Sequence, residues 1–234
     1  MKSWTTKGGH RITRVLGGRS NVFLVEAGGY SLLFDSSVGK YRKKIRQGLH
    51  EAGIDTIDYL ILSHVHFDHM GNASFIKRQY GAWVIVQENE ADFLRHANSP
   101  VPAGTNFFTR FLVRRMAPGM TSWFTCMPCE PDITVSDRYD FSAENMNAYL
   151  LHTPGHSIGM MSLIVDDEIA LVGDALFGIF PGSIFPPFAD DVPELIRSWG
   201  KLLLTGCRLY LPAHGRAIPK KMLERHFKIR RNRV

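Results

Sequence analysis

The chain has 234 residues, of which 44% are apolar and 21% charged, and its net charge is +6. This length allows one large domain with a substantial core, and no apolar run approaches the roughly 18 residues that predict a membrane span. The positive charge is concentrated in residues 216–234, which hold eight Lys and Arg residues against one acid, so the rest of the chain is close to neutral.

Short apolar and β-branched runs alternate with helical patterns along the chain. Residues 22–26 and 30–35 predict a hairpin, because Gly28 and Gly29 give the turn between them a permissive backbone. Further strands are predicted at residues 58–63, 82–86, 147–151, 161–165, 168–172 and 208–211, and helices at residues 40–52, 72–80 and 192–204. Sheet-rich halves that carry helices indicate an α/β sandwich folding as a single domain over residues 1–234.

The segment of residues 95–135 interrupts this alternation. It contains large apolar residues among prolines and glycines: Phe107, Phe108, Phe111, Leu112, Met116, Trp123 and Phe124. A helix over residues 106–116 would place Phe108, Phe111 and Leu112 on one stripe. Two interpretations stay open, an inserted piece of core or a lid over a functional site, since long insertions often carry binding function.

The cysteines and the N-terminus bear on the compartment. Cys126, Cys129 and Cys207 are too few for a disulfide framework in a chain of this length. Cys126 and Cys129 form the sequence CMPC, which could be a redox or metal-binding pair, but its proline-rich flanks favour packing or coincidence. Residues 1–12 contain no apolar run, so we expect no signal peptide and a cytoplasmic protein.

The basic tail, residues 216–234, ends in KKMLERHFKIRRNRV. We expect a solvated terminal helix there. A contact with nucleic-acid phosphate or another acidic partner is the alternative, which we do not favour.

A cluster of candidate metal ligands follows the predicted strand 58–63. The run SHVHFDH contains His64, His66, Asp68 and His69. One buried histidine is commonly structural, but three crowded imidazoles and a carboxylate would cost desolvation and repulsion without a cation. Neutral imidazole and carboxylate suit zinc, iron or manganese, so the run predicts a metal site.

Three further candidates each lie after a predicted strand, in a turn marked by Gly or Pro. They are His156 in HTPGHS, Asp174 in VGDALF and His214 in LPAHG. Five histidines and two aspartates supply enough ligands for two ions, and the two oxygens of Asp174 can face different cations. His152, four residues before His156, is interpreted as structural, with a position near the site as the alternative. The other histidines are interpreted as surface or packing residues: His10, His50, His96 and His226.

The motif HxHxDH, followed by the later His, Asp and His in the same order, resembles the metallo-β-lactamase-fold hydrolases over residues 35–215. The resemblance implies a four-layer αββα sandwich. The ligands that it implies are His64, His66 and His156 for one ion, and Asp68, His69 and His214 for the second. It also implies that Asp174 bridges the ions and that Asp35 supports the ligands from behind.

Two divalent cations follow from this ligand set, and we expect zinc, with iron or manganese as alternatives. Such a pair would lower the pKa of a shared water to about 7, and the resulting hydroxide could attack a carbonyl or phosphoryl centre. Asp68 and Asp174 are the predicted catalytic residues, Asp68 as a ligand that also orients the attacking species. The expected partner is a small-molecule substrate, with no membrane contact, and the oligomeric state stays open.

Within the family, the complete His/Asp set matches the glyoxalase-II-like thioesterases, acyl-homoserine lactonases and related esterases. We therefore expect hydrolysis of an ester, thioester or lactone bond. A mononuclear iron persulfide dioxygenase and an RNA or DNA phosphodiesterase are the alternatives. Four residues after Asp174 would either form an apolar wall that favours an acyl or aromatic substrate, or simply pack: Phe177, Phe180, Phe185 and Phe188.

Overall fold

Two β-sheets form the centre of the structure, a computed structural model that describes residues 1–18, 20–120 and 126–233. Within these residues the first sheet has seven strands, neighbouring in chain order: β1 (Lys2–Thr5), β2 (Arg11–Leu16), β3 (Val22–Ala27), β4 (Tyr30–Phe34), β5 (Tyr59–Ile61), β6 (Trp83–Gln87) and β7 (Ile133–Val135). The strands β1 to β4 are antiparallel, and β4 to β7 are parallel.

The second sheet has six strands within the described residues. They are β8 (Arg138–Asp140), β9 (Ala148–His152), β10 (Met161–Val165), β11 (Ile169–Gly178), β12 (Leu209–Gly215) and β13 (Ile218–Pro219). Their spatial order is β13-β12-β11-β10-β9-β8, and β11 and β12 run parallel. Both sheets therefore contain parallel neighbours whose carboxyl ends share an edge.

The described residues form seven α-helices. They are α1 (Arg42–Glu51), α2 (Phe67–Met70), α3 (Ala73–Tyr80), α4 (Ala91–Arg95), α5 (Phe107–Met120), α6 (Val192–Leu204) and α7 (Lys220–Arg230). Among the described helices, none is long and apolar enough to cross a membrane. The terminal helix predicted for the basic tail is α7, which anchors itself in the core through Leu223.

Three separate layers of apolar contact define the architecture. Alternate residues of one strand point to opposite faces of the sheet. Leu24 of β3 therefore packs outward against α1 and α3. Its neighbours Phe23 and Val25 pack inward against the second sheet. A third cluster joins the second sheet to α6 and α7. The predicted four-layer αββα sandwich is confirmed.

The strands differ from the prediction in two ways: some were missed, and one is longer than predicted. The sequence pattern missed β2, RITRVL, in which arginines alternate with apolar residues, and likewise missed β1, β7, β8 and β13. Conversely, the strand predicted at 168–172 continues to Gly178, because all ten residues of β11 are buried.

The aromatic segment forms a helix, α5, which begins close to its predicted start. Phe107, Phe108 and Phe111 are exposed by 88%, 70% and 60%. The backbone before α5 is attached to the second half of the chain, because Gly104 pairs with Phe188. Trp123, Phe124 and the side chains of Leu112 and Met116 lie outside the described part of the chain.

Trp199 is expected to contribute strongly to stability. Its ring is fully buried under α6, and its indole N–H donates to the Ala175 carbonyl at 2.7 Å. Trp199→Ala should lower the free energy of unfolding by about 3–5 kcal/mol, measured by urea denaturation. Leu204→Ala on the same helix, at a side chain 89% exposed, should change it by less than about 0.5 kcal/mol. Equal effects would contradict the packing described for α6.

Candidate metal centre

All seven predicted metal-binding side chains lie together at one edge of the sandwich. Four of them follow β5, and the others lie in the β9–β10 loop, in β11 and in β12. The two sheets meet closely at this edge, because a Cβ on Gly173 would lie only 2.7 Å from the Cβ of Ser63. The backbone N–H of Met161 also donates to the Ser63 carbonyl at 2.8 Å. Side chains distant in sequence therefore face one another.

Three imidazole nitrogens converge in the first group, formed by His64, His66 and His156. The Nδ1 of His66 lies 2.8 Å from Nε2 of His64 and 3.0 Å from Nε2 of His156. Burial, reinforced by the neighbouring imidazoles, holds the pKa of His64 and His66 well below its usual range. These rings are therefore neutral, which is the form that binds metal ions.

Hydrogen bonds behind the rings orient two of these nitrogens. The Ser63 hydroxyl donates to Asp35 Oδ2 at 3.0 Å, so it can accept from the Nδ1–H of His64 at 2.9 Å. The Nδ1–H of His156 donates to the Phe188 carbonyl, also at 2.9 Å. With Nδ1 protonated, the Nε2 lone pair of each ring faces the centre of the group.

The second group consists of Asp68, His69 and His214. Asp68 places Oδ1 at 3.8 Å from His69 Nε2 and Oδ2 at 3.5 Å from His214 Nε2. Behind it, the buried Asp35 accepts a hydrogen bond from His69 Nδ1–H at 2.9 Å. Burial lowers the pKa of His69, but the surrounding carboxylates, Asp35 foremost, raise that pKa to about 10.

Asp174 lies between the two groups and offers one oxygen to each. Its Oδ2 is 3.5 Å from His156 Nε2. Its Oδ1 is 3.3 Å from His214 Nε2 and 3.7 Å from His69 Nε2. Burial raises the pKa of this carboxyl, but the three imidazoles outweigh burial and hold the pKa well below its usual range.

The donor set fits divalent metal ions. His69 Nε2 and Asp174 Oδ1 are buried, lie 3.7 Å apart and have no hydrogen-bond partner among the described residues. Buried polar atoms are rarely left without a partner, and a cation that displaces the imidazole proton would satisfy both atoms. Mixed imidazole and carboxylate ligands suit zinc, iron and manganese.

Glu90, which sequence reasoning missed, connects the two loops that carry the first group. Its Oε2 accepts from the Val65 N–H at 2.6 Å and its Oε1 from the Gly159 N–H at 2.9 Å. The residue is 1% exposed. A Cβ on Gly159 would lie 2.6 Å from Glu90 Cγ, so the loop leaves room for this carboxylate. Nothing in the local sequence distinguishes Glu90 from the exposed Glu88.

Ser63 was also missed, although it directly precedes the histidine motif. Its N–H donates to Asp35 Oδ1 at 2.8 Å, in addition to the hydroxyl contacts already described. Ser63 and Asp35 thus form one hydrogen-bonded unit behind His64 and His69, which is consistent with the supporting position expected for Asp35.

The remaining histidines make contacts elsewhere. The Nε2–H of His152 donates to the Ile158 carbonyl at 2.8 Å, and Nδ1 of His10 lies 2.7 Å from Asp166. The others also lie outside both groups: His50, His96 and His226. Cys129 is buried, and burial raises its pKa to about 11, so its thiol is protonated at neutral pH and favours packing over redox chemistry.

The phenylalanines after Asp174 take different positions. Phe177 stacks on His214 with ring centroids 4.7 Å apart, so it lines the site. Phe185 packs against Trp199 in the core, with centroids 5.9 Å apart. Phe180 is 47% exposed. The predicted apolar wall is therefore carried at the site by Phe177.

Comparisons with known proteins show a family and relatives that this chain resembles. The model of the metallo-beta-lactamase superfamily matches residues 15–214. The chain is 24% identical over 218 residues to the atrochrysone carboxyl ACP thioesterase of Aspergillus fumigatus, covering 89% of this chain and 57% of that protein. It is 27% identical over 130 residues to the hydroxyacylglutathione hydrolase of Pelagibacter ubique, covering 55% and 40%. The chain thus spans about half the length of these relatives.

A solved structure shows the same fold at low sequence identity. The crystal structure of TTHA1623 in a di-iron-bound form has a TM-score of 0.65 and 21% identity to this chain. The match covers 91% of this chain and 97% of the other.

Proposed function

The chain belongs to the metallo-beta-lactamase superfamily, and we propose that it is a binuclear metal-dependent hydrolase of an ester, thioester or lactone bond. Members of the superfamily are metal-dependent hydrolases, and the two relatives described above are named as a thioesterase and a hydroxyacylglutathione hydrolase. The di-iron form of TTHA1623 adds support for two ions in a chain of this fold.

The position of Asp174 is the observation that carries the proposal. A mononuclear site would need one convergent group, whereas Asp174 directs Oδ2 toward His156 and Oδ1 toward His69 and His214. We assign one ion to His64, His66 and His156, and the second to Asp68, His69 and His214, with Asp174 as the bridging ligand. We expect zinc, although iron and manganese suit the same donors.

Bound divalent ions would supply Lewis acidity and a hydroxide nucleophile at neutral pH. The residues of the chain set the charge of the centre and orient the groups around it. Asp68 and Asp174 contribute two negative charges against four positive ones, so the loaded centre favours a developing oxyanion. Asp35 holds the ring of His69 at Nδ1, which keeps Nε2 directed inward. Asp68, the residue before His69 on the same short helix, orients the attacking species.

An acyl group is the substrate feature that the surroundings favour. Phe177 provides an apolar surface in contact with His214. The backbone just before α5 also comes near the site, because Gly104 pairs with Phe188, whose carbonyl accepts a hydrogen bond from His156. We propose that the segment 95–135 acts as a lid, with the exposed phenylalanines of α5 folding toward the acyl group.

Metal removal is the direct test of the proposal. Dialysis against a chelator should lower hydrolysis of a susceptible ester or thioester by about 100-fold or more, because the nucleophile depends on the ions. Added zinc or manganese should restore the rate. Metal analysis of protein purified without added metal should give two equivalents per chain; full activity in the chelated protein would contradict the proposal.

A substrate panel separates the proposed chemistry from its alternatives. The metal-loaded protein should hydrolyse at least one class among aryl esters, acyl thioesters and lactones. One equivalent of iron together with oxygen uptake on a persulfide would instead identify a dioxygenase. Cleavage of RNA or DNA, with no hydrolysis in the panel, would identify a phosphodiesterase.

A further inference from the structure

A cavity lies next to the segment that carries His214 but outside the candidate metal centre. It encloses about 240 Å³ between the β1–β2 edge of the first sheet and the turn after β12. We call it the edge cleft, and its lining includes Lys2, Trp4, Arg14, Phe23 and Arg216. Neither group of candidate metal ligands contributes a residue to it.

Three cationic residues, Lys2, Arg14 and Arg216, are among those that line the edge cleft. Lys2 and Arg14 are directly opposite each other in the β1–β2 ladder, an arrangement of like charges that destabilises a sheet. Arg216 adds a third positive charge from the second sheet. No acidic residue lines the cleft, and none of these three side chains has an ion-pair partner among the described residues. An anion in the cleft would relieve this repulsion.

One wall of the edge cleft is aromatic. Trp4 and Phe23 pack edge to face with centroids 6.1 Å apart. The ammonium group of Lys2 lies 5.1 Å from the Trp4 ring centroid, so the charge and the apolar surface are contiguous. A cavity of roughly 150 Å³ accommodates benzene, so the edge cleft has room for a ring and an anionic group.

We infer that the edge cleft is a binding site for a small aromatic anion, whose carboxylate or phosphate contacts Arg14 and Arg216 and whose ring lies against Trp4. Arginine recognises the oxygens of both anionic groups through paired N–H donors. This site does not depend on bound metal or on hydrolysis.

The wall of the edge cleft also continues into the segment that carries His214. The side-chain amide of Asn21 donates to the carbonyls of Pro212 and Gly215 at 3.0 and 3.1 Å, and its backbone N–H donates to Ala213 at 2.6 Å. Asn21 is thereby occupied in holding this segment, which leaves Lys2 and the two arginines as the cationic donors of the cleft. A ligand in the cleft would lie one residue from a candidate metal ligand.

Calorimetric titration of the metal-loaded protein tests the inference with phenyl phosphate and benzoate. At least one should bind, and raising the salt concentration should weaken binding. Arg14→Gln combined with Arg216→Gln should weaken it at least tenfold, whereas Arg197→Gln, an exposed arginine paired on α6, should leave it within twofold. Unchanged binding in the double variant would place the probe elsewhere and overturn the inference.

Two further probes test the cations and the aromatic wall separately, because each probe lacks either the anionic group or the ring. Benzyl alcohol should bind at least tenfold more weakly than the anions, and inorganic phosphate should also bind more weakly than phenyl phosphate. If benzyl alcohol bound as tightly as the anions, the cations would have no role in binding. If inorganic phosphate bound as tightly as phenyl phosphate, the aromatic wall would have no role. Bound phenyl phosphate should also change the tryptophan fluorescence of the wild type. The change should be absent in Trp4→Phe, a variant that keeps an aromatic side chain in the wall. A fluorescence change that persists in Trp4→Phe would contradict contact between the ligand and Trp4.

Discussion

Replacing Asp174 with alanine is expected to lower hydrolysis by about 1,000-fold, which corresponds to roughly 4 kcal/mol of transition-state stabilisation. Among the residues that the structure describes, this carboxylate is the single side chain that directs an oxygen toward both groups of candidate ligands. Its loss would remove a ligand from each ion and a negative charge from between three histidines. Metal analysis should show a fall from two equivalents per chain toward one or none.

Two companion variants make the Asp174 result interpretable. Asp174→Asn keeps the size of the side chain but removes its charge, and we expect it to lose nearly as much activity as alanine. Asp140→Ala removes an aspartate of the second sheet that is 48% exposed and paired with Arg138, so activity and metal content should stay within twofold. Two retained metal equivalents and near-normal rates in Asp174→Ala would refute the bridging assignment.

The cluster of seven candidate ligands could be predicted from the sequence because its members combine distinctive chemistry with distinctive positions. His64, Asp174 and His214 each belong to or follow a strand that the hydrophobic pattern identified. Histidines and aspartates at strand ends are unexpected in an apolar core, so residue type alone separated them from packing residues. The four-layer fold followed from the same motif, through the resemblance it carries.

The supporting contacts could not be predicted in the same way. Glu88 and Glu90 are two residues apart in one short turn. Only burial, a property of the folded chain, distinguishes the exposed Glu88 from Glu90, whose carboxylate connects two loops. Ser63 acts through a hydroxyl that connects the neighbouring His64 to Asp35, which follows a different strand and is 28 residues away in sequence. The edge cleft depends on the pairing of β1 with β2, and the arginines of β2 conceal that strand in the sequence pattern. Each feature arises from long-range contacts rather than local preference.

Glu90 gives the second large expected effect, on metal affinity and on stability together. Removing its side chain would leave the Val65 and Gly159 N–H groups buried without acceptors. Each such loss costs about 1–3 kcal/mol, so Glu90→Ala should lower the free energy of unfolding of the chelated protein by roughly 2–6 kcal/mol. Because the two N–H groups belong to the loops carrying His64, His66 and His156, metal affinity should fall about 10- to 100-fold.

Chelator competition measures the affinity change, and urea denaturation measures the stability change. Glu90→Gln should also bind metal more weakly, because the glutamine NH2 group would face the backbone N–H of either Val65 or Gly159 and could not accept from it. This variant keeps the test valid if Glu90→Ala does not fold. Glu88→Ala is the matched control, since Glu88 lies exposed in the same turn and its loss should change neither quantity appreciably. Destabilisation with unchanged affinity would reduce Glu90 to a structural residue. Lowered affinity in both Glu90 variants would make it a positioning residue, since it contacts the backbone of the ligand loops and no ligand atom.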